Sequence, residues 1–256
     1  MENEEMLKVE LESLYMNIFI LEEEVYLKSI EKIKKQKIYI MIGLNLKGYK
    51  DIIGIYIPED ETTSYWAKEF SELKDRGLKT IFMMTILKND YIKRGVKLNY
   101  QDVIYAPSML EIYNKSYNYI SRKQHRIVTM KLARLYKQEK IEEAKMIYEE
   151  LLEEFKDNKL LIMIISKYIN EIFGMFKYSK RIREIASNTD TYVKMRCRIR
   201  WAIKKKKVYN SYFELKEYVT NVLKEEYKRW GPSKKGWDLI INSMDCDLLE
   251  RIYELI

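Results

Sequence analysis

The sequence predicts a mixed α/β protein in which an antiparallel three-strand meander and a parallel strand precede a mainly helical second half. Runs of β-branched and aromatic residues are concentrated before residue 90, whereas apolar residues recur at helical spacing from Met109 onward. Only 8 Gly and 3 Pro occur in 256 residues, too few turn residues for a sandwich of many short strands. The fold class is therefore α/β.

Three short apolar segments form the predicted meander. Leu14–Leu21 is the first, and Lys37–Leu44 is a second run rich in β-branched and aromatic residues. Residues 45–50 contain Gly48 and predict a turn, and Asp51–Ile57 supplies the third strand. Consecutive strands joined at this spacing are typical of antiparallel pairing.

A helix and a fourth strand follow the meander. Thr62 or Thr63 can cap a helix over Ser64–Arg76, and Gly77 stands where a helix C-cap favours glycine. Thr80–Leu87 is apolar almost throughout, which is typical of a central strand buried on both faces. Because the chain enters this strand from a helix, we expect parallel pairing.

The second half is predicted to be helical. This element order is that of an RNase H-like core, although many α/β folds open in the same way. We expect one domain over residues 10–256, with a core over roughly 10–110, a helical insertion over 115–178 and closing helices over 180–256. The clearest amphipathic segments are Glu142–Phe155, Leu160–Phe176, Phe213–Trp230 and Trp237–Ile256.

The composition of the chain limits the kinds of partner, compartment and site that are expected. The formal net charge is +8, which indicates either a lysine-rich solvated surface or affinity for a polyanion such as nucleic acid. Two cysteines, Cys197 and Cys246, provide no metal or disulfide framework and predict a reducing bacterial cytoplasm. No apolar run reaches the roughly 18 residues of a membrane span. His125 is the only histidine, so sites that need two imidazoles are excluded.

Several motifs agree in order and spacing with one known family. They are Gly54, Glu61, Trp66, Leu73 with Arg76-Gly77, Leu132–Tyr136, Glu142–Ala144, Phe176–Arg183, and Trp230 with Trp237. Through these motifs the chain resembles, over about residues 10–256, the catalytic domain of Mutator-type insertion-sequence transposases. From the resemblance we expect the family's N-terminal DNA-binding helices to be missing and the chain to begin at the first strand.

The resemblance implies DNA transposition with an RNase H-like fold. Family members hold two Mg²⁺ ions with two Asp and one Glu, and these metals activate the attacking oxygen. The same positions here are occupied by Met16, Leu87 and Val193. Thioether and aliphatic side chains cannot ligate Mg²⁺, which requires oxygen ligands. We therefore expect these three residues to share one neighbourhood, with no catalytic or metal-binding residue and no cofactor. Mg²⁺ would be expected only in an active member.

Two acids close in sequence to the expected metal-binding positions allow an alternative to the loss of the metal site. Asp90 follows the fourth strand, and Asp190 stands three residues before Val193. These carboxylates could form a displaced metal site, in which case the protein would be an active transposase.

A basic segment is the candidate nucleic-acid contact. Val193–Trp201 alternates like a strand, whereas the family resemblance favours a helix, and we expect the helix. Such a segment either contacts DNA phosphates or forms a solvated basic face. The predicted contact residues are Lys194, Arg196, Arg198, Arg200, Lys204, Lys205, Lys206, Lys207, Lys234 and Lys235.

Three functions are therefore considered. The leading hypothesis is a catalytically inactive, transposase-derived protein, either a remnant of a mobile element or a domesticated DNA-binding factor. The alternatives are an active transposase with displaced carboxylates and a helical protein-interaction module without a nucleic-acid role. DNA, a second copy of the chain or a partner transposase are the expected partners, and a membrane is not.

Overall fold

The computed structural model describes residues 10–28, 32–86, 89–186, 189–231, 237–242 and 244, without the side chains of 110, 111 and 189–194. These residues contain six strands and ten α-helices. They fall into two compact units. The first takes its described residues from Met1–Met84, Asn89–Ile104 and Asp190–Ile256, and the second from Thr85–Lys88 and Tyr105–Thr189.

The predicted antiparallel meander is confirmed. Its strands are β1 (Leu14–Lys28), β2 (Ile33–Asn45) and β3 (Lys50–Tyr56). β1 pairs antiparallel with β2, and β2 pairs antiparallel with β3. The residues at the centre of these strands are almost wholly buried, as their apolar composition requires.

The first strand is longer than predicted. Three consecutive glutamates after Leu21 interrupt the apolar run, but β1 continues to Lys28. Glu22 and Glu24 are exposed, whereas Glu23, Val25 and Leu27 are buried. Because successive side chains point to opposite faces of a sheet, the charged stretch is a half-buried strand.

The predicted strand over Thr80–Leu87 is two strands. β4 (Thr80–Ile81) pairs parallel with β1, as expected, and β5 (Met83–Ile86) follows after Phe82. The Phe82 carbonyl accepts a hydrogen bond from Ile104, the first residue of β6 (Ile104–Pro107), which the sequence analysis missed. The sheet order is β3-β2-β1-β5-β6, with β4 beside β1.

Two helices of the first unit pack against each other. α1 (Thr63–Asp75) is capped by the Thr62 hydroxyl, and Gly77 has a φ of 100° in the left-handed region that favours glycine. α2 (Asp90–Lys97) begins after Asn89 and was not predicted. A Cβ at Gly95 of α2 would lie 2.5 Å from the Cβ of Trp66, so glycine permits the close contact between these helices.

The remaining helices follow from Met109 onward. Among the described residues none is both long and apolar enough to cross a membrane. Most of the predicted helix Trp237–Ile256 lies outside the described residues. The helices are α3 (Met109–Tyr117), α4 (Arg122–Tyr136), α5 (Ile141–Glu154), α6 (Lys159–Gly174), α7 (Lys180–Ala186), α8 (Thr189–Lys205), α9 (Tyr212–Tyr227) and α10 (Trp237–Ile241), with a 3₁₀ turn over Met175–Lys177.

Arg183 has a structural role in the second unit. Its guanidinium is buried and donates hydrogen bonds to the carbonyls of Tyr136 and Gln138 at 2.8 and 2.6 Å. It also lies 4.0 Å from the centre of the Phe176 ring. Burial lowers the pKa of Arg183 from its ordinary value. The arginine of the motif therefore joins α7 to the end of α4.

In the first unit, Glu61 joins α1 and α2 to the meander. Its Oε1 atom accepts hydrogen bonds from Tyr39 at 2.7 Å, Asn89 at 2.6 Å and the Trp66 indole at 3.4 Å. Lys37 contacts the Oε2 atom at 3.2 Å. Burial raises the pKa of Glu61, but the hydrogen bonds and the nearby Lys37 charge outweigh it, and the net pKa is lowered.

We predict that Glu61→Gln lowers the free energy of unfolding by about 2 kcal/mol at neutral pH, because hydrogen bonds to a charged acceptor are lost. The folded-state pKa of Glu61 is below its ordinary value of 4.5. Its extra stabilisation is therefore complete above pH 4.5 and is lost as the pH falls through the folded-state pKa. Urea unfolding across acidic pH should show the difference between the two proteins shrinking.

Glu59→Gln is the matched control, since Glu59 is exposed in the same loop. Equal losses of stability in the two variants, or a difference independent of pH, would contradict the role of Glu61.

Candidate functional site

Met16 occupies the position that the resemblance assigns to the first metal-binding aspartate. It is fully buried in β1. The pairing of β1 with β2 shifts between Tyr15 and Asn17, so Met16 is the extra residue of a β-bulge. A buried thioether does not fit Mg²⁺, which takes oxygen ligands.

The other two positions of the expected set are not described. Leu87 lies outside the described residues, and so does the side chain of Val193. Their expected proximity to Met16 stays a prediction. Within the described part of the chain, no group of three or more His, Cys, Asp or Glu residues could hold a metal ion.

The two acids of the displaced site have different positions. Asp90 is in the first turn of α2, where an acid interacts favourably with the helix dipole. It is exposed, and the side chain of Asp190 lies outside the described residues. Asp90 therefore has a structural explanation at the helix start.

Other carboxylates line a cavity of about 520 Å³ at the start of β1. The Tyr15 hydroxyl donates a hydrogen bond to Asp51 at 3.0 Å. Burial raises the pKa of Asp51, although the hydrogen bond from Tyr15 partly opposes the shift. Glu10 and Glu12 share the cavity with Asp51. These acids are not a metal-binding group by the geometry of the described residues.

The basic segment is a helix, as the resemblance predicted, and not a strand. Met195, Ile199 and Ile203 are buried at a spacing of four residues. This stripe places α8 against the core and leaves its basic residues on the neighbouring faces.

Three cations on one face of α8 form ion pairs with the carboxylate of Glu23. The distances from its carboxylate oxygens are 3.4 Å to Arg196, 3.4 Å to Arg200 and 3.6 Å to Lys204. The side chain of Glu23 is 4% exposed and that of Arg196 is 5% exposed, whereas Arg200 and Lys204 reach solvent. Burying a carboxylate without compensating charges destabilises the folded state. The three cations are therefore needed at these positions to offset the cost of burying Glu23.

Two further carboxylates organise the basic residues. Glu226 of α9 is buried and accepts hydrogen bonds from Arg198, the shortest at 2.7 Å, and from Arg229 at 3.0 Å. Lys206 at the end of α8 forms an ion pair with Glu214. This pair, together with the hydrogen bond from the Asn210 amide, lowers the pKa of Glu214. α8 and α9 are thereby joined at two points, the middle and the C-terminal end of α8.

The structure sorts the described members of the predicted contact set into three groups. Arg196 is buried, so it is not part of an exposed basic surface. Lys205 and Lys207 are exposed, and neither forms an ion pair with any described residue. Arg198, Arg200, Lys204 and Lys206 are partly exposed and paired with acids. The side chain of Lys194, together with Lys234 and Lys235, lies outside the described residues.

The sequence analysis missed Glu23 and Glu226 as partners of the basic helix. Each stands in a pattern that could have indicated burial. Glu23 alternates with exposed glutamates along β1. Glu226 continues the buried stripe of α9 that contains Val219 and Leu223. The interpretation of the sequence considered the charges of the basic segment and gave no weight to where these two glutamates fall in the pattern of buried residues.

The comparisons with known proteins identify the family. A profile described as "Transposase, Mutator family" matches residues 4–233. The chain belongs to the Mutator family of transposases. It is 19% identical over 229 residues to the transposase for insertion sequence element ISRM3 of Rhizobium meliloti (strain 1021), which covers 89% of this chain.

Two further relatives are probable transposases of insertion sequence elements. One, from Corynebacterium diphtheriae, is 20% identical over 127 residues, or 50% of this chain and 37% of the relative. The other, described as ISRM3-like, is from Sinorhizobium fredii (strain NBRC 101917 / NGR234) and is 18% identical over 229 residues, or 89% of this chain. The chain spans 57% of the length of the two ISRM3-type transposases.

We predict that Glu23→Gln lowers the free energy of unfolding by about 3 kcal/mol, because it leaves the buried Arg196 charge without its carboxylate. Glu24→Gln is the matched control on the same strand. Glu24 forms an exposed ion pair with Lys35 at 2.9 Å, so its loss should cost less than about 1 kcal/mol. Chemical denaturation measures both, and similar losses would show that Glu23 does not hold α8.

Proposed function

We propose that this protein is a catalytically inactive member of the Mutator transposase family that binds DNA through the basic face of α8. The observation that carries the proposal is Met16, a buried apolar residue at the position of the first metal-binding acid. Met16 cannot ligate Mg²⁺, so the described part of this site does not support metal-assisted cleavage of a DNA strand.

The strand arrangement supports an RNase H-like core. Three antiparallel strands are followed by a helix and by strands on the other side of β1, in the order β3-β2-β1-β5-β6. The helices from α3 to α6 then form the proposed insertion, at roughly residues 115–178. Both assignments agree with family membership over residues 4–233.

The charge distribution of α8 supports contact with a polyanion. Its cations outnumber the three acids that they pair with, Glu23, Glu214 and Glu226. Lys205 and Lys207 are exposed, and Arg200 and Lys204 extend to solvent from the pair with Glu23. Lysine provides no bidentate pattern for reading bases, so the contacts would be mainly to phosphates.

Two measurements separate this proposal from its alternatives. Mg²⁺-dependent strand transfer by the purified protein would establish an active transposase with displaced carboxylates. Absence of salt-dependent DNA binding would instead favour a protein-interaction module, with a second copy or a partner transposase as the candidate ligand.

We predict that Met16→Asp lowers the free energy of unfolding by more than about 3 kcal/mol, because it buries a carboxylate without a partner. Addition of Mg²⁺ or Mn²⁺ should not restore the melting temperature. Met16→Leu, which conserves volume, should cost less than about 1.5 kcal/mol. A large rise in the melting temperature of Met16→Asp with Mg²⁺ would reveal remaining metal ligands and contradict the proposal.

We predict that Lys205→Ala/Lys207→Ala weakens duplex binding and reduces the slope of log affinity against log salt by about 2, since each lost phosphate contact removes about 0.9. Fluorescence anisotropy with a labelled duplex measures both quantities. Lys68→Ala/Lys97→Ala is the matched control, since both lysines are exposed on α1 and α2 and the charge change is the same. Equal effects of the two double variants would mean that net charge, and not α8, determines binding.

A further inference from the structure

Trp201 is an exposed aromatic residue within the basic helix. The sequence has four tryptophans. Trp66 and Trp237 are 0% and 2% exposed, and Trp230 is half-buried, whereas Trp201 is 70% exposed on α8. An indole is among the costliest side chains to leave in water, so its position beside the cations of α8 is informative.

Cations flank the indole along one face of the helix. Lys205 lies one turn further on, with its Nζ atom 5.6 Å from the centre of the Trp201 ring. Arg198 lies one turn before, and its guanidinium is held by Glu226 of α9. Residues 198, 201 and 205 share a helical face because they are three and four positions apart.

The packing of α9 leaves this face open. The Tyr218 hydroxyl donates to the Ala202 carbonyl at 3.0 Å, and Arg198 reaches Glu226, so α9 runs beside α8 in the opposite direction. The Trp201 ring remains mostly exposed beside that contact. A ligand could therefore cover the ring without displacing either helix.

We infer that Trp201 stacks against an unpaired base of single-stranded DNA, while Lys205 and Arg198 contact the adjacent phosphates. This inference rests on the proposed DNA binding and specifies the form of DNA that this face accepts. An indole flanked by cations matches a nucleotide, which joins an aromatic base to a phosphate. Bases in a duplex are already stacked on each other, so the ring selects single strands.

Tryptophan fluorescence with oligo(dT) of about 20 nucleotides tests the stacking directly. Wild-type emission should be quenched on binding, because Trp201 is the most exposed of the described indoles. Trp201→Phe should bind nearly as well but lose most of the quenching, which assigns the signal to this residue.

Trp201→Leu removes aromatic stacking and keeps an apolar side chain. We expect its affinity for oligo(dT) to fall by about 5- to 100-fold, with duplex affinity nearly unchanged. Since the ring is exposed, thermal melting should confirm that the variant is folded.

The possible failures are distinguishable. If neither single-stranded nor duplex DNA binds the wild-type protein, the proposed function fails, and the inference fails with it. If the wild-type protein binds DNA but Trp201→Leu binds oligo(dT) equally well, or if both DNA forms weaken equally, the stacking inference alone is overturned.

Discussion

The buried carboxylate of Glu23 is the interaction on which the arrangement of the first unit depends. A carboxylate on a central strand cannot be removed from water without compensation. Arg196, Arg200 and Lys204 provide that compensation from one face of α8. The position and rotation of α8 against β1 are therefore constrained by charge as well as by the apolar stripe beside it.

This constraint divides a uniformly basic sequence into faces with different roles. One face is buried through Met195, Ile199 and Ile203. The next face neutralises Glu23, and a third presents Trp201 and Lys205 to solvent. Internal pairing reduces the charge available for a ligand, and it also holds the backbone that presents the remaining cations. Preorganised cations lose less conformational entropy on binding than mobile ones do.

The same unit accommodates an apolar core residue at the position that the resemblance assigns to a metal-binding acid. Met16 at the bulge is an apolar core residue, so no metal is needed to offset repulsion between acids there. Polar compensation is found elsewhere, at Glu61, whose four partners join α1 and α2 to the meander. Stability in this unit comes from packing and from carboxylates that nearby cations and hydrogen-bond donors compensate.

The sequence by itself determined the meander, the capped helix α1, the helical second half and the family. These depend on short-range periodicity, on capping chemistry and on the order of motifs. The division of the fourth strand at Phe82, the addition of β6, and the pairing of Glu23 with Arg196 were decided only by the tertiary structure. The physical reason is that ladder bonds and buried ion pairs join residues far apart in the chain. Their energy depends on which surfaces pack together, and local periodicity does not encode this.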